Sequence, residues 1–160
     1  MDLTHINEQG RAVMVDVSAK DETMRVAVAY GCIYMKRETL ERIKEGSFVK
    51  GDVLAVAQVG GIMGAKKTPD IIPMCHPIMI SGCNINFKLN FEENKVEITS
   101  TVKSSGQTGV EIEALTAVTI AGLTIYDMCK AIDRGMIISD VMLMKKSGGK
   151  SGVFERNQNK

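Results

Sequence analysis

The chain has no tryptophan, and aromatic residues fill only 4% of its 160 positions. That scarcity excludes a stacking platform for bases or an aromatic cage as its main device. Charge of one sign is also lacking: 20 Lys and Arg face 19 Asp and Glu, a net charge of +1. A dedicated nucleic-acid binder carries a strongly basic face, so no such partner is expected. The first dozen residues hold no signal-like apolar core. The four cysteines (Cys32, Cys75, Cys83, Cys129) include no C-x-x-C pair and read as reduced thiols of a cytoplasmic protein. No charge-free helical run reaches the ~20 residues of a membrane span; the longest are Val53–Ala65 and Ala114–Tyr126. What remains is one domain spanning residues 1–160, with a core of Ala, Val, Ile and Met.

Periodicity then sets the order of elements. Residues 1–20 read as an irregular arm. Arg25–Met35 alternates, with Val26, Val28, Tyr30, Cys32 and Tyr34 on one face and Ala27, Ala29 and Gly31 on the other. Glu38–Lys44 reads as a short helix stopped by Gly46, and a second helix runs from about Gly51 to Lys66. Pro69, Pro73 and Pro77 argue against regular structure across Thr68–Pro77. Asn84–Phe91 and Lys95–Lys103 alternate around Glu92-Glu93-Asn94, which predicts a hairpin with one wet face. A long apolar helix follows near Gly109–Asp133, then a strand over Met136–Met144 and a Gly/Lys/Ser loop and tail over 145–160. The order β, α, α, β, β, α, β is the split βαβ pattern of an α+β ferredoxin-like fold with one extra helix: an antiparallel sheet with helices on one face.

Four segments could do chemistry. The apolar helix carries no charge from Ala114 to Tyr126, so it is expected to be buried on every side. Glu111 and Glu113 stand at its start, Asp127 and Lys130 at its end. Two residues apart on a helix means about 200° apart, so the two glutamates form no dyad. Their plain role is to favour the positive end of the helix dipole. Asp127 and Lys130, spaced i, i+3, are plainly an ion pair. Glu113 and Asp127 lie roughly 21 Å apart along the axis. A site using both ends needs two copies of the helix from different subunits, and a homo-oligomer is expected.

Lys50 precedes a helix capped by Asp52, where a cation opposes the dipole unless an anion binds beside it. Gly60, Gly61 and Gly64 weaken that helix unless something packs closely on them. His76, fixed between Cys75 and Pro77, is either a packed imidazole or a proton-transfer group. A Cys75–His76 metal pair is rejected, because adjacent residues chelate poorly and no other ligands stand at zinc spacing. Lys145-Lys146-Ser147-Gly148-Gly149-Lys150-Ser151-Gly152 mimics the tail of a phosphate loop, but Met144 stands where that motif needs glycine. It is either a flexible basic tail or a backbone that wraps phosphates.

Read together, these segments resemble one family. The resemblance is carried by His5-Ile6-Asn7, Met14-Val15-Asp16-Val17-Ser18-Ala19-Lys20, Lys50-Gly51-Asp52 and Ile72-Pro73-Met74-Cys75-His76-Pro77. It continues through Thr108–Thr116, Leu123–Ala131 and Lys146–Gly152. In that order they are similar to the MoaC family of molybdenum cofactor biosynthesis, with Ile112 where methionine is expected between the glutamates.

The resemblance implies a ferredoxin-like subunit in a homohexamer, a trimer of dimers, with active sites between subunits. It also implies a lyase reaction on a cyclised GTP derivative, 3′,8-cyclo-7,8-dihydroguanosine triphosphate, giving cyclic pyranopterin monophosphate and pyrophosphate. Lys50 and Lys130 then become the acid–base candidates, with Asp127 tuning Lys130. Lys66, Lys67, Lys146, Lys150 and Arg25 would meet the phosphates. Met74, Cys75, His76, Glu111, Ile112 and Glu113 would hold the rest of the substrate. No cofactor is implied beyond magnesium that could travel with the triphosphate. Two rivals stand beside this: a nucleotide or pterin sensor without turnover, and a structural assembly whose charges only fix subunit register.

Overall fold

The computed structural model describes residues 5–46 and 51–157, so Lys50 lies outside the described residues. Strand β1 spans Thr23–Tyr34, and helices α1 Arg37–Glu45, α2 Val53–Lys66 and α3 Thr68–Ile71 follow. Then come β2 Ile80–Asn90, β3 Lys95–Gly106, α4 Glu111–Cys129, β4 Ile137–Ser147 and β5 Phe154–Glu155. The sheet runs β2-β3-β1-β4-β5, and every neighbouring pair is antiparallel. This is the expected α+β sheet, with β1 at its centre between β3 and β4 and the short β5 at one edge.

Local chemistry explains the element ends. Gly46 ends α1 in the left-handed conformation, at φ 65°. Asp52 caps α2, its carboxylate accepting from the Leu54 and Ala55 N–H groups at 3.0 Å. The expectation of no regular structure across Thr68–Pro77 fails at its start. Pro69 sits in the first turn of α3, where its missing N–H has no partner to lose. β4 also continues three residues past Met144, so Lys145, Lys146 and Ser147 are strand rather than loop.

The faces of β1 divide as predicted, but the small residues are the ones turned toward the helices. Ala27, Ala29 and Gly31 are buried there, and a Cβ on Gly31 would stand 2.5 Å from Val118 of α4. Tyr30 and Tyr34 stand on the opposite face, with Tyr30 paired to Thr99 and Tyr34 to Lys95. Small residues are needed because α4 crosses close above β1. The glycines of α2 serve the same end: a Cβ at Gly60 would meet Thr124, at Gly61 the Ala117 carbonyl at 2.8 Å, and at Gly64 Ile120. As α2 advances α4 recedes, so the two helices are antiparallel.

One expectation is corrected. Helix α4 is not buried on every side within one chain. Ala114, Ala117, Ala121 and Ile125 face the interior, while Leu123 is 49% exposed. Beside it α2 shows Val56, Val59 and Met63, with Val59 62% exposed. Length and composition alone would let α4 span a bilayer. Its inner face is instead taken by the sheet and α2.

Candidate active site

The beginning of α4 lies where β1 starts and β4 ends. Arg25, only 8% exposed, ties these parts together. Its Nε donates to the Gly106 carbonyl at 3.1 Å and its Nη2 to the Gln107 carbonyl at 3.2 Å. The remaining guanidinium nitrogen, Nη1, lies under the glycine loop that follows β4. A Cβ on Gly149 would fall 1.7 Å from it, and one on Gly148 would fall 2.2 Å from the Met24 carbonyl oxygen. Gly148 and Gly149 both have positive φ, 99° and 73° respectively. Only glycine fits this loop, for conformation and for space.

Together these pieces enclose a cavity of about 590 Å³. Arg25, Lys146, Lys150 and Lys20 contribute cations, and Glu111 and Asp21 contribute acids. Lys146 is paired with Ala27, whose side chain is buried toward the helices, so it stands on the helix side of the sheet. Its Nζ reaches Ser151 Oγ and stands 4.0 Å from Glu111 Oε1. Val110 precedes α4 without a side-chain cap bond. The first-turn N–H groups of α4 therefore add partial positive charge at the same place.

A smaller cavity of about 260 Å³ adjoins it and shares Lys20, Thr108 and Gly109. Met74, Cys75, His76, Ile112 and Glu113 line it. Glu113 is 2% exposed. Burial raises its carboxyl pKa, its own backbone N–H opposes that, and the charge of Glu111 adds to it. Burial likewise raises the Cys75 thiol, with Glu113 adding to the effect. His76 Nε2 donates to the Val15 carbonyl at 2.8 Å, which leaves Nδ1 for other work.

The remaining predicted residues lie elsewhere. Lys130 Nζ donates to Asp127 Oδ1 at 2.6 Å, an exposed pair at the far end of α4. That is about 28 Å along the axis from Glu111. Lys67 pairs with Asp70 at 3.1 Å, and Lys66 ends α2; neither lines the two cavities. Among the described residues, no group of three or more His, Cys, Asp and Glu could hold a metal ion. None of the four cysteines is in a disulfide.

Sequence reasoning had not singled out Lys20, Thr108 and Gly109 as site residues. Their signal was membership of the motifs around 14–20 and 108–116, which only the fold shows to be adjacent.

Comparison with known proteins identifies the family. Residues 14–149 match the MoaC family. A protein of Thermoanaerobacter sp. (strain X514), named cyclic pyranopterin monophosphate synthase, is 72% identical over 156 residues, covering 98% of this chain and 99% of the relative. A relative of the same name from Clostridium acetobutylicum is 70% identical over 153 residues, covering 96% and 95% of the two chains. A third, from Heliobacterium modesticaldum, is 54% identical over 156 residues, covering 98% of each. The chain belongs to the MoaC family, and with it to the enzymes of molybdenum cofactor biosynthesis.

Proposed function

We propose that this chain converts 3′,8-cyclo-7,8-dihydroguanosine triphosphate into cyclic pyranopterin monophosphate and pyrophosphate. The observation that carries this reading is the larger cavity. There, Arg25, Lys146, Lys150 and Lys20 meet a glycine loop above an uncapped helix start. Converging cations and backbone N–H groups are the chemistry a triphosphate needs. The smaller cavity, with Met74, Cys75, His76, Ile112 and Glu113, then receives the ring system. Glu113, whose carboxyl burial favours as the acid, can donate a hydrogen bond there as well as accept one.

The reaction opens a purine-derived ring with water and closes a new one, so protons move several times. Lys50 and Lys130 are the acid–base groups in this reading, with Asp127 orienting Lys130. Cyclic phosphate forms when a sugar-derived hydroxyl attacks the α-phosphorus. The new O–P bond forms as the bond to the bridging oxygen breaks, and pyrophosphate leaves with that electron pair. Cations around the leaving group stabilise the charge that develops there.

Lys130 and Asp127 cannot reach the cavities of their own chain, so a second subunit must bring them. The exposed apolar row Val56, Val59, Met63 and Leu123 supports such packing. The assembly proposed is a homohexamer, a trimer of dimers, in the cytoplasm, where cysteines stay reduced. Lys66 and Lys67 belong to the phosphate-binding set across that interface. The partner is a small molecule rather than a nucleic acid or a membrane. No cofactor is required in this reading, and magnesium can enter with the triphosphate.

Mass spectrometry after incubating the pure protein with the cyclised GTP derivative tests this. Conversion to the cyclic monophosphate with one pyrophosphate per turnover is expected. Recovery of the compound bound but unchanged would mark a sensor and end the proposal.

A further inference from the structure

His76 joins two parts of the chain that lie far apart in sequence. Its Nε2 donates to the carbonyl of Val15, 61 positions away in sequence. From His5 to Glu22 only Val15 and Val17 are half-buried; the rest of this arm is exposed. The arm forms no helix or strand, only the isolated bridge between Ile6 and Ala12. Yet it supplies one side of the smaller cavity: Val15, Val17 and Lys20 stand across from Cys75, His76 and Glu113.

The stretch between the bond and Lys20 is braced. Asp16 Oδ1 accepts from the Ser18 N–H at 2.9 Å and from Ser18 Oγ at 2.6 Å. The Lys20 N–H donates to the Val17 carbonyl at 2.9 Å. A compact turn transmits a fixed position where a flexible chain would lose it. Seating Val15 therefore seats Lys20, which borders both cavities.

We propose that His76 is a positioning residue: its Nε2 latches the arm at Val15 and thereby places the Lys20 ammonium where the two cavities meet, for an anionic ligand. This rests on the reading of the two cavities as one triphosphate-binding site, and it assigns the arm its part there. Without the latch the arm lifts and Lys20 is lost to the ligand. The imidazole acts here through its N–H, not through proton transfer.

Trypsin reports the latch directly, because Arg11 and Lys20 are exposed cleavage points within the arm. His76→Gln puts an amide N–H where Nε2 stands, His76→Asn puts one nearer Nδ1, and His76→Ala offers none. One lost hydrogen bond speeds opening about fivefold. Cleavage after Arg11 and Lys20 is expected to be about fivefold faster in His76→Ala and His76→Asn, with His76→Gln within about twofold of the parent.

Parent-like cleavage of His76→Ala, or equal cleavage of the Gln and Ala chains, would overturn the latch. If the Ala chain does not fold, the Gln and Asn chains decide: an Asn chain cut no faster than the Gln chain overturns it. GTP, added as a probe, is expected to slow cleavage after Arg11 in the parent and the Gln chain but not in the Asn chain. The trypsin ordering without any GTP effect would keep the latch and count against the triphosphate site alone.

Discussion

Lys146 Nζ stands 4.0 Å from Glu111 Oε1, across the gap between the end of β4 and the start of α4. The two side chains are 17% and 30% exposed, and both line the larger cavity. At that distance and exposure the pair is a loose one, worth under about 1 kcal/mol. A polyanion in this cavity would compete with Glu111 for the ammonium.

Lys146→Ala is therefore expected to weaken GTP binding about tenfold at low salt, with a smaller loss as salt rises. Calorimetric titration at two ionic strengths measures both. An affinity equal to the parent's would remove Lys146 from the phosphate set.

Glu113 makes stability depend on pH in an unusual direction. Burial raises its folded pKa, whereas the unfolded chain releases the same proton near the ordinary value of about 4.3. Above that value ionisation favours the unfolded state. Stability contributed here is full in acid and is lost as pH rises between the unfolded and folded values. Glu113→Gln removes the penalty. Its melting temperature is expected to exceed the parent's near neutral pH and to approach it near about pH 4. A gain that is equal at both pH values would show that the carboxyl is not the cause.

Gly149→Ala meets two obstacles: φ is 73° and the new methyl falls on the Arg25 guanidinium. Gly152 has φ 67° with nothing within 4 Å, so Gly152→Ala isolates the backbone cost. That cost is about 1 kcal/mol, and Gly149→Ala adds about 1–2 kcal/mol more with loss of GTP binding. Melting curves and titrations of both variants compare them. Equal effects would mean that Arg25 is not held by the loop.

Gly61→Ala gains helix propensity of about 1 kcal/mol but forces α2 away from α4. The new Cβ would stand 2.8 Å from the Ala117 carbonyl, which is backbone and cannot turn aside. A net loss of about 1–3 kcal/mol is expected in urea unfolding. A more stable variant would show that the helices are not pressed together there.

Much of this was legible in the sequence because local signals and fold agree. Gly46, Asp52 and the Asn84–Lys103 alternation mark element ends and a hairpin without tertiary information. Gly60, Gly61 and Gly64 announced close packing, and the partner proved to be α4. The sequence misled where a rule has a positional exception, as at Pro69, and was silent where periodicity identifies two faces but not which is inward, as in β1. Lys146 and Lys150 stand out in the sequence as lysines on a glycine-rich segment, whereas Arg25 is suggested only by the family resemblance; the fold brings all three to one cavity. Lys20 was not foreseen, because it lies in an irregular arm that only the fold brings beside residues 74–76 and 108–113.

The central claim is that one active site takes the start of α4 from one chain and its end from another. Mixing two inactive variants, Glu111→Ala and Lys130→Ala, unfolding them together and reassembling tests it most directly. Random pairing leaves about one quarter of sites with both intact residues, so about one quarter of parental turnover is expected to return. A mixture as inactive as its two components would contradict a shared site.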